Sequence, residues 1–142
     1  MTMTKETNKK SEIDLSFFYS TEDSEINGIP EGDIEHWKEK LTSSREHKKI
    51  RFVSEWIWWD IIVDESSKKI ISKHCLKPAA IYSHNLIWDE IGGFSPGFSV
   101  KTSLLERFEE DALFITRNTT YVLVGPGYRA NISASDYSNI YF

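Results

Sequence analysis

Apolar positions alternate with a period of two through the middle of the chain. Branched and aromatic residues dominate Ile50 to Asp64, above all in Glu55-Trp56-Ile57-Trp58-Trp59-Asp60-Ile61-Ile62-Val63-Asp64. Such side chains fit a pleated, packed surface, so this run predicts a β-strand. Alternation sends Ile57, Trp59, Ile61 and Val63 to one side, the expected core side. Trp56, Trp58, Asp60 and Ile62 go to the other. A run that is apolar on both sides predicts a central or doubly covered strand.

Upstream the period changes. Asp33 is a suitable N-cap, and Ile34, Trp37 and Leu41 fall on one helical face. This predicts a short helix ending near Ser43 or Ser44. Residues 1–12 are polar and lysine-rich and read as a flexible tail. Ile13 to Tyr19 reads as a short strand or docking segment, and Ser20 to Gly32 as loop. Downstream, Asp64 to Lys69 reads as a turn, and Ile70 to Lys77 is ambiguous. Ala79 to Asp89 reads as a second strand, with Ala80, Tyr82, His84, Leu86 and Trp88 on its buried side.

Gly92-Gly93-Phe94-Ser95-Pro96-Gly97 is a breaker cluster. Phe98 to Thr102 alternates as a strand, while Ser103-x-x-Glu106 offers a capping box for a short helix. Ala112–Thr116 and Thr120–Val124 form a hairpin across Arg117-Asn118-Thr119. Residues 131–142 read as a C-terminal tail. The expected fold is α+β over 13–130: a mainly antiparallel sheet or partly open small β-barrel of about five strands, with one N-terminal helix packed on it.

Composition narrows the function classes. The chain has 142 residues, with 39% hydrophobic, 27% charged and 13% aromatic, which suits one globular domain. A formal net charge of -5 lacks the basic footprint of a general nucleic-acid binder. Cys75 is the single cysteine, so an intrachain disulfide is excluded. The start Met1-Thr2-Met3-Thr4-Lys5 has no apolar signal region, and no stretch reaches the ~20 apolar residues of a membrane span. The cytoplasm is the expected location.

Candidate chemistry is sparse. Thr116, Arg117 and Asn118 at a hairpin tip can grip a carboxylate, a phosphate or a base edge, and Tyr121 and Arg129 can join them. The alternative is a solvated turn. Trp56 and Trp58 form an aromatic patch if uncovered, or core if the helix covers them. His74, Cys75 and His84 have no metal-ligand spacing. Glu106, Glu109, Glu110 and Asp111 read as a solvated face. The glycines form no phosphate-binding loop. No catalytic residue, metal site or cofactor follows.

Thr102-Ser103-Leu104-Leu105, Phe108 and the stretch from Phe114 through Thr116-Arg117-Asn118 and Tyr121-Val122-Leu123 to Gly125-Pro126-Gly127-Tyr128-Arg129 carry a further signal. With Trp56, Asp60 and Ala80-Ile81-Tyr82-Ser83-His84, this ordered set resembles domain of unknown function 6957. That is a family of small uncharacterised proteobacterial and prophage-associated proteins, and the likeness covers about residues 48–130. The resemblance implies a shared fold and no reaction. The expectation is a non-enzymatic protein-interaction or inhibitory accessory factor of a mobile element, with another protein as partner. The alternative is a module for a small anionic ligand or nucleotide, centred on the Thr-Arg-Asn hairpin.

Overall fold

The computed structural model describes residues 27–47 and 49–140. The expected tail 1–12, the segment 13–19 and most of the loop 20–32 lie outside the described residues. Ile34–Ser44 form helix α1, preceded by a 3-10 turn at Glu31–Asp33. Asp33 holds the N-cap position but makes no side-chain cap bond, because the 3-10 turn leads directly into the helix. Strand β1 spans Ile50–Ile62, helix α2 Glu65–Lys73 and strand β2 Ala79–Asp89. Strands β3 (Val100–Lys101), β4 (Leu105–Glu109), β5 (Leu113–Thr116), β6 (Thr120–Leu123) and β7 (Tyr128–Ser133) follow, then helix α3 (Ala134–Ser138).

The strands make one seven-stranded sheet in the order β3-β2-β1-β6-β5-β4, with β7 also beside β1. β1 pairs antiparallel with β2 from Arg51↔Asp89 to Asp60↔Ala79. Its other side pairs parallel, first with β6 over Ile50–Val53 and then with β7 over Ile57–Ile62. The sheet is therefore mixed, where the sequence pattern suggested mainly antiparallel pairing. Period two identifies a strand but carries no information about its neighbour's direction.

Only residues 102–104 join β3 at one edge of the sheet to β4 at the other. Lys77, just before β2, also donates its N–H to the Leu105 carbonyl at 2.9 Å. The sheet thus curls until its edges approach, but β3 and β4 do not pair and no barrel closes. Its inner face carries Val53, Trp56, Trp58, Ile81, Leu86, Val100, Leu105, Phe114, Tyr121 and Leu123.

Two clusters fill the outer face. Under α1, Leu41, Trp37 and Ile34 cover Ile50, Phe52, Leu113, Ile115, Val122 and Val124. Under α3, Tyr137 and the following Ile140 cover Ile57, Trp59, Ala130 and Ile132. Trp56, Trp58 and Trp59 are all buried, so β1 is the doubly covered strand its sequence predicts. Each ring removes roughly 150–250 Å² from water, an upper bound of about 4–6 kcal/mol apiece before conformational entropy is charged.

Several local expectations need correction. Asp64 to Lys69 is the start of α2, because the Asp64 carboxylate accepts the Ser67 backbone N–H at 2.7 Å and caps the helix. That bond, with the Ser67 and Ser66 hydroxyls, lowers the Asp64 pKa. Ser103-x-x-Glu106 opens no helix, and Leu105–Glu109 instead pairs with β5. Glu110 and Asp111 both adopt positive φ in the three-residue connection 110–112 between those strands. Residues 131–139 are not a tail: β7 runs to Ser133, whose hydroxyl caps α3 by accepting from the Asp136 N–H.

The alternation in β1 also breaks. Glu55 sits at φ 50, a left-handed conformation that side chains with a Cβ rarely adopt. Val53 and Trp56 consequently share the inner face, although three positions apart. β2 breaks at the same level: Leu86 lies inside with Ile81 and Ala79, while His84 is exposed. The expected buried set of β2 therefore holds for Ala80 and Leu86 and fails for His84. On the other flank of β1, Gly125 at φ 74 separates β6 from β7.

Candidate functional site

The candidates from the sequence separate into three places. Trp58 and Arg129 share one cluster. Arg129 donates to both Asp60 carboxylate oxygens at 2.7 and 3.1 Å and lies 4.6 Å from the Trp58 ring. The Trp58 indole N–H donates to Asp60 at 3.1 Å, and its ring meets Phe108 and Phe114 edge-on, each at 4.9 Å. This fork geometry fixes β7 against β1 and holds Arg129 in an internal ion pair. Trp56 is core, with its indole N–H donating to the Gly125 carbonyl at 3.3 Å.

Thr116, Arg117 and Asn118 do occupy a hairpin tip. Buried Thr116 closes the turn, its hydroxyl donating to the Thr119 carbonyl at 3.1 Å. Arg117 and Asn118 are exposed, and Arg117 donates to the His74 carbonyl at 3.0 Å. The tip lines a groove of about 300 Å³ with His47, Lys49 and Arg107. Glu46 and Glu106 line it as well, and Arg107 pairs with Glu106 and Glu109. Its positive field is thus largely neutralised from within. Arg129 and Tyr121 do not reach it.

Tyr121 belongs to a larger cleft of about 550 Å³, lined by Arg51, Phe94, Phe98, Ser99, Val100, Lys101 and Tyr121. The loop after β2 builds its wall. Asp89 ends β2, and its carboxylate accepts the backbone N–H groups of Ile91, Gly93 and Phe94 at 3.1–3.2 Å. Gly92 at φ 77 and Gly97 at φ 93 supply the reversals. The Gly97 N–H donates to the Leu86 carbonyl at 2.7 Å, and the Phe98 carbonyl accepts from the Leu86 N–H at 2.9 Å. The loop is therefore anchored at both ends while its apolar side chains turn outward. Ile91 is 61% exposed, Phe94 48% and Phe98 51%.

Arg51 forms the polar floor. Its Nε lies 3.3 Å from Asp89, its Nη1 donates to the Tyr121 hydroxyl at 3.4 Å, and its guanidinium carbon is 4.9 Å from the Phe94 ring centre. Burial alone would raise the Asp89 pKa. The Arg51 charge and the Ile91 and Phe94 N–H groups outweigh it, and the net shift is downward. Asp89 in turn cancels much of the Arg51 charge. Burial lowers the Lys101 pKa, and the ammonium donates to the Tyr137 and Ile140 carbonyls at 2.8 and 3.2 Å. Lys101 thus secures α3. The cleft is consequently an apolar, aromatic recess with a phenol and a neutralised guanidinium at its base.

Sequence reasoning missed Arg51, Phe94 and Phe98. A usable signal was present: Phe94 lies within the glycine-rich breaker 92–97, and the large apolar residues Ile91 and Phe98 flank it directly. Among the described residues, no group of three or more His, Cys, Asp or Glu side chains is placed to hold a metal ion. No helix among them is long and apolar enough to cross a membrane.

No curated protein and no solved structure matches the chain. One family does, and its match runs from the strand-like Ile29 contact through α1 and the whole sheet into α3, wider at both ends than the stretch 48–130 read from the sequence. The family model for the domain of unknown function DUF6957 matches residues 28–139, and the chain belongs to that family.

Proposed function

We propose that this protein is a non-enzymatic interaction domain, and that it seats an apolar or aromatic side chain of a partner protein in the cleft beneath the 90–99 loop. One observation carries the reading: Ile91, Phe94 and Phe98 stand exposed on a loop whose backbone N–H groups are tied to the Asp89 carboxylate, itself paired with Arg51. Water-exposed apolar groups cost free energy in the isolated chain and are recovered when a partner covers them. Aromatic rings beside a half-buried arginine and a buried tyrosine are the side chains that anchor interfaces. The neutralised Arg51 can still donate a hydrogen bond to a partner carbonyl while the rings exclude water.

The test uses the full chain as bait in its native host, alongside a Phe94→Ser/Phe98→Ser double variant. Both positions are half-exposed, so the variant keeps its fold, which circular dichroism and thermal melting verify. The expected outcome is a stoichiometric partner retained by the wild type and lost from the variant. Equal retention by both, or no stoichiometric partner on either, rejects the cleft as the interface.

A further inference from the structure

Three neighbouring strands are irregular at one level. β1 turns left-handed at Glu55, β2 carries the Ser83-His84-Asn85 kink, and Gly125-Pro126-Gly127 interrupts the line of β6 and β7. In the kink the Ser83 hydroxyl donates to the Ser54 carbonyl at 2.7 Å and accepts the Asn85 N–H at 3.0 Å. The register holds across this level, from Ser54↔Asn85 to Trp56↔Ser83, so the left-handed Glu55 stands opposite His84 and both present a polar side chain to solvent. Glu55 and His84 are exposed on the outer face between the cluster under α1 and the cluster under α3. Neither helix covers this level. A pocket of about 420 Å³ results, lined by Glu55, Trp56, Ile57, His84, Pro126 and Tyr128.

The lining selects a class of ligand. Glu55 supplies a carboxylate, and its charge reaches His84. That influence partly offsets the lowering of the His84 pKa by burial, which is the larger effect. The His84 ring is held edge-on to Tyr82 at 4.7 Å, with the Tyr82 hydroxyl 3.4 Å from Nδ1. Tyr128 offers an aromatic ring at 45% exposure. The nearest arginine in sequence, Arg129, is on the inner face against Trp58 and Asp60. A carboxylate beside aromatic rings, with no lysine or arginine among the described lining residues, suits a compact organic cation. Glu55 is also strained by its left-handed backbone, and such strain gathers where a side chain must be presented.

We propose that the Glu55–His84–Tyr128 pocket binds an alkylammonium group, independently of the cleft beneath the 90–99 loop. The indole N–H of Trp56, directly below the pocket, is the reporter. The full chain with ¹⁵N-labelled tryptophan is titrated with spermidine and, separately, with acetyl-Gly-Lys-Gly-amide, each against sodium chloride of equal ionic strength. Loss of one signal in Trp56→Phe assigns the resonance. A saturable shift with spermidine alone assigns a free polyamine, and a shift with the peptide alone assigns a partner's lysine side chain. Glu55→Gly removes the carboxylate, yet glycine adopts the same φ freely, so the fold persists. Binding is expected to weaken at least ~5-fold in that variant. A Trp56 signal indifferent to both amines, or unchanged affinity in a folded Glu55→Gly, overturns the proposal.

Discussion

Gly127 lies against the face of a buried tryptophan, and replacing it with alanine tests the packing at the strand switch. A Cβ at Gly127 would stand 2.4 Å from Trp56 Cδ2 and 2.5 Å from Cε2 and Cε3. Carbon atoms pack at about 3.5–4.0 Å, so ring and backbone must separate by roughly 1 Å. Trp56 is 1% exposed and sits in the inner cluster, so it has no room to retreat. Overpacking of this kind costs about 1–3 kcal/mol. Moving the ring also stretches the Trp56 N–H bond to the Gly125 carbonyl, already 3.3 Å, and an unmade buried bond adds about 1–2 kcal/mol. Gly127→Ala is therefore expected to lose about 2–5 kcal/mol in urea denaturation, with a fall in Tm of about 10 °C or more. Adding Trp56→Leu makes space, so the double variant is expected to be more stable than the two separate losses sum to. A Gly127→Ala protein that melts within a degree or two of wild type refutes the close approach.

Three further perturbations follow from local geometry. Asp89 has a depressed pKa in the folded state, so its contribution to stability is present above the unfolded carboxylate value and is lost as pH falls through the folded one. Asp89→Asn is expected to lower stability at pH 7 and to flatten the loss of stability below about pH 4, measured by urea titration at several pH values. His84 has a lowered pKa, so a histidine-resolved NMR titration is expected to place its midpoint below 6.5, and lower still in Glu55→Gln, which removes the opposing charge. As pH falls below 6.5 the unfolded chain takes up this proton first, and stability declines. Cys75 follows α2 at φ 63, with the Leu76 N–H donating to the Ile71 carbonyl, so Cys75→Gly is expected to raise stability by about 0.5–1 kcal/mol in thermal melts.

Much of the architecture was legible because it depended on local pattern. The tryptophan strand, β2 from Ala79 to Asp89, α1 with its Trp37 stripe and the β5–β6 hairpin all follow from apolar spacing and turn residues. Helix α2 was not, since its exposed surface offers only Ile70 and Ile71 as periodic apolar positions. The phase break at Glu55 has no signal in the residue itself, because glutamate is an uncommon choice for a left-handed backbone. That break puts Val53 and Trp56 on the same inner face, and the matching break in β2 brings His84 to the surface.

The site was less legible than the fold, because its residues meet only through pairing. Arg51 reaches Tyr121 because β1 and β6 run parallel in register at Arg51↔Tyr121, and sequence alone gives no such register. Arg129 reads from the sequence as a possible member of the Thr-Arg-Asn site, but it pairs instead with Asp60, which lies 69 positions away in the chain and is brought beside it by β7. The 90–99 loop read only as a breaker. Its hydrophobic side chains gain meaning once Asp89 is seen to hold the loop in place.

Whether a partner covers the cleft beneath that loop is tested directly by site-specific photo-crosslinking in the native host. Benzoylphenylalanine is placed at Phe98, and in parallel at Ile70 on α2, which is 59% exposed and remote from the cleft lining. A discrete adduct from position 98, absent from position 70 and abolished by Phe94→Ser, is the expected result. Adducts from position 70 alone, or the same adducts from both positions, contradict the account.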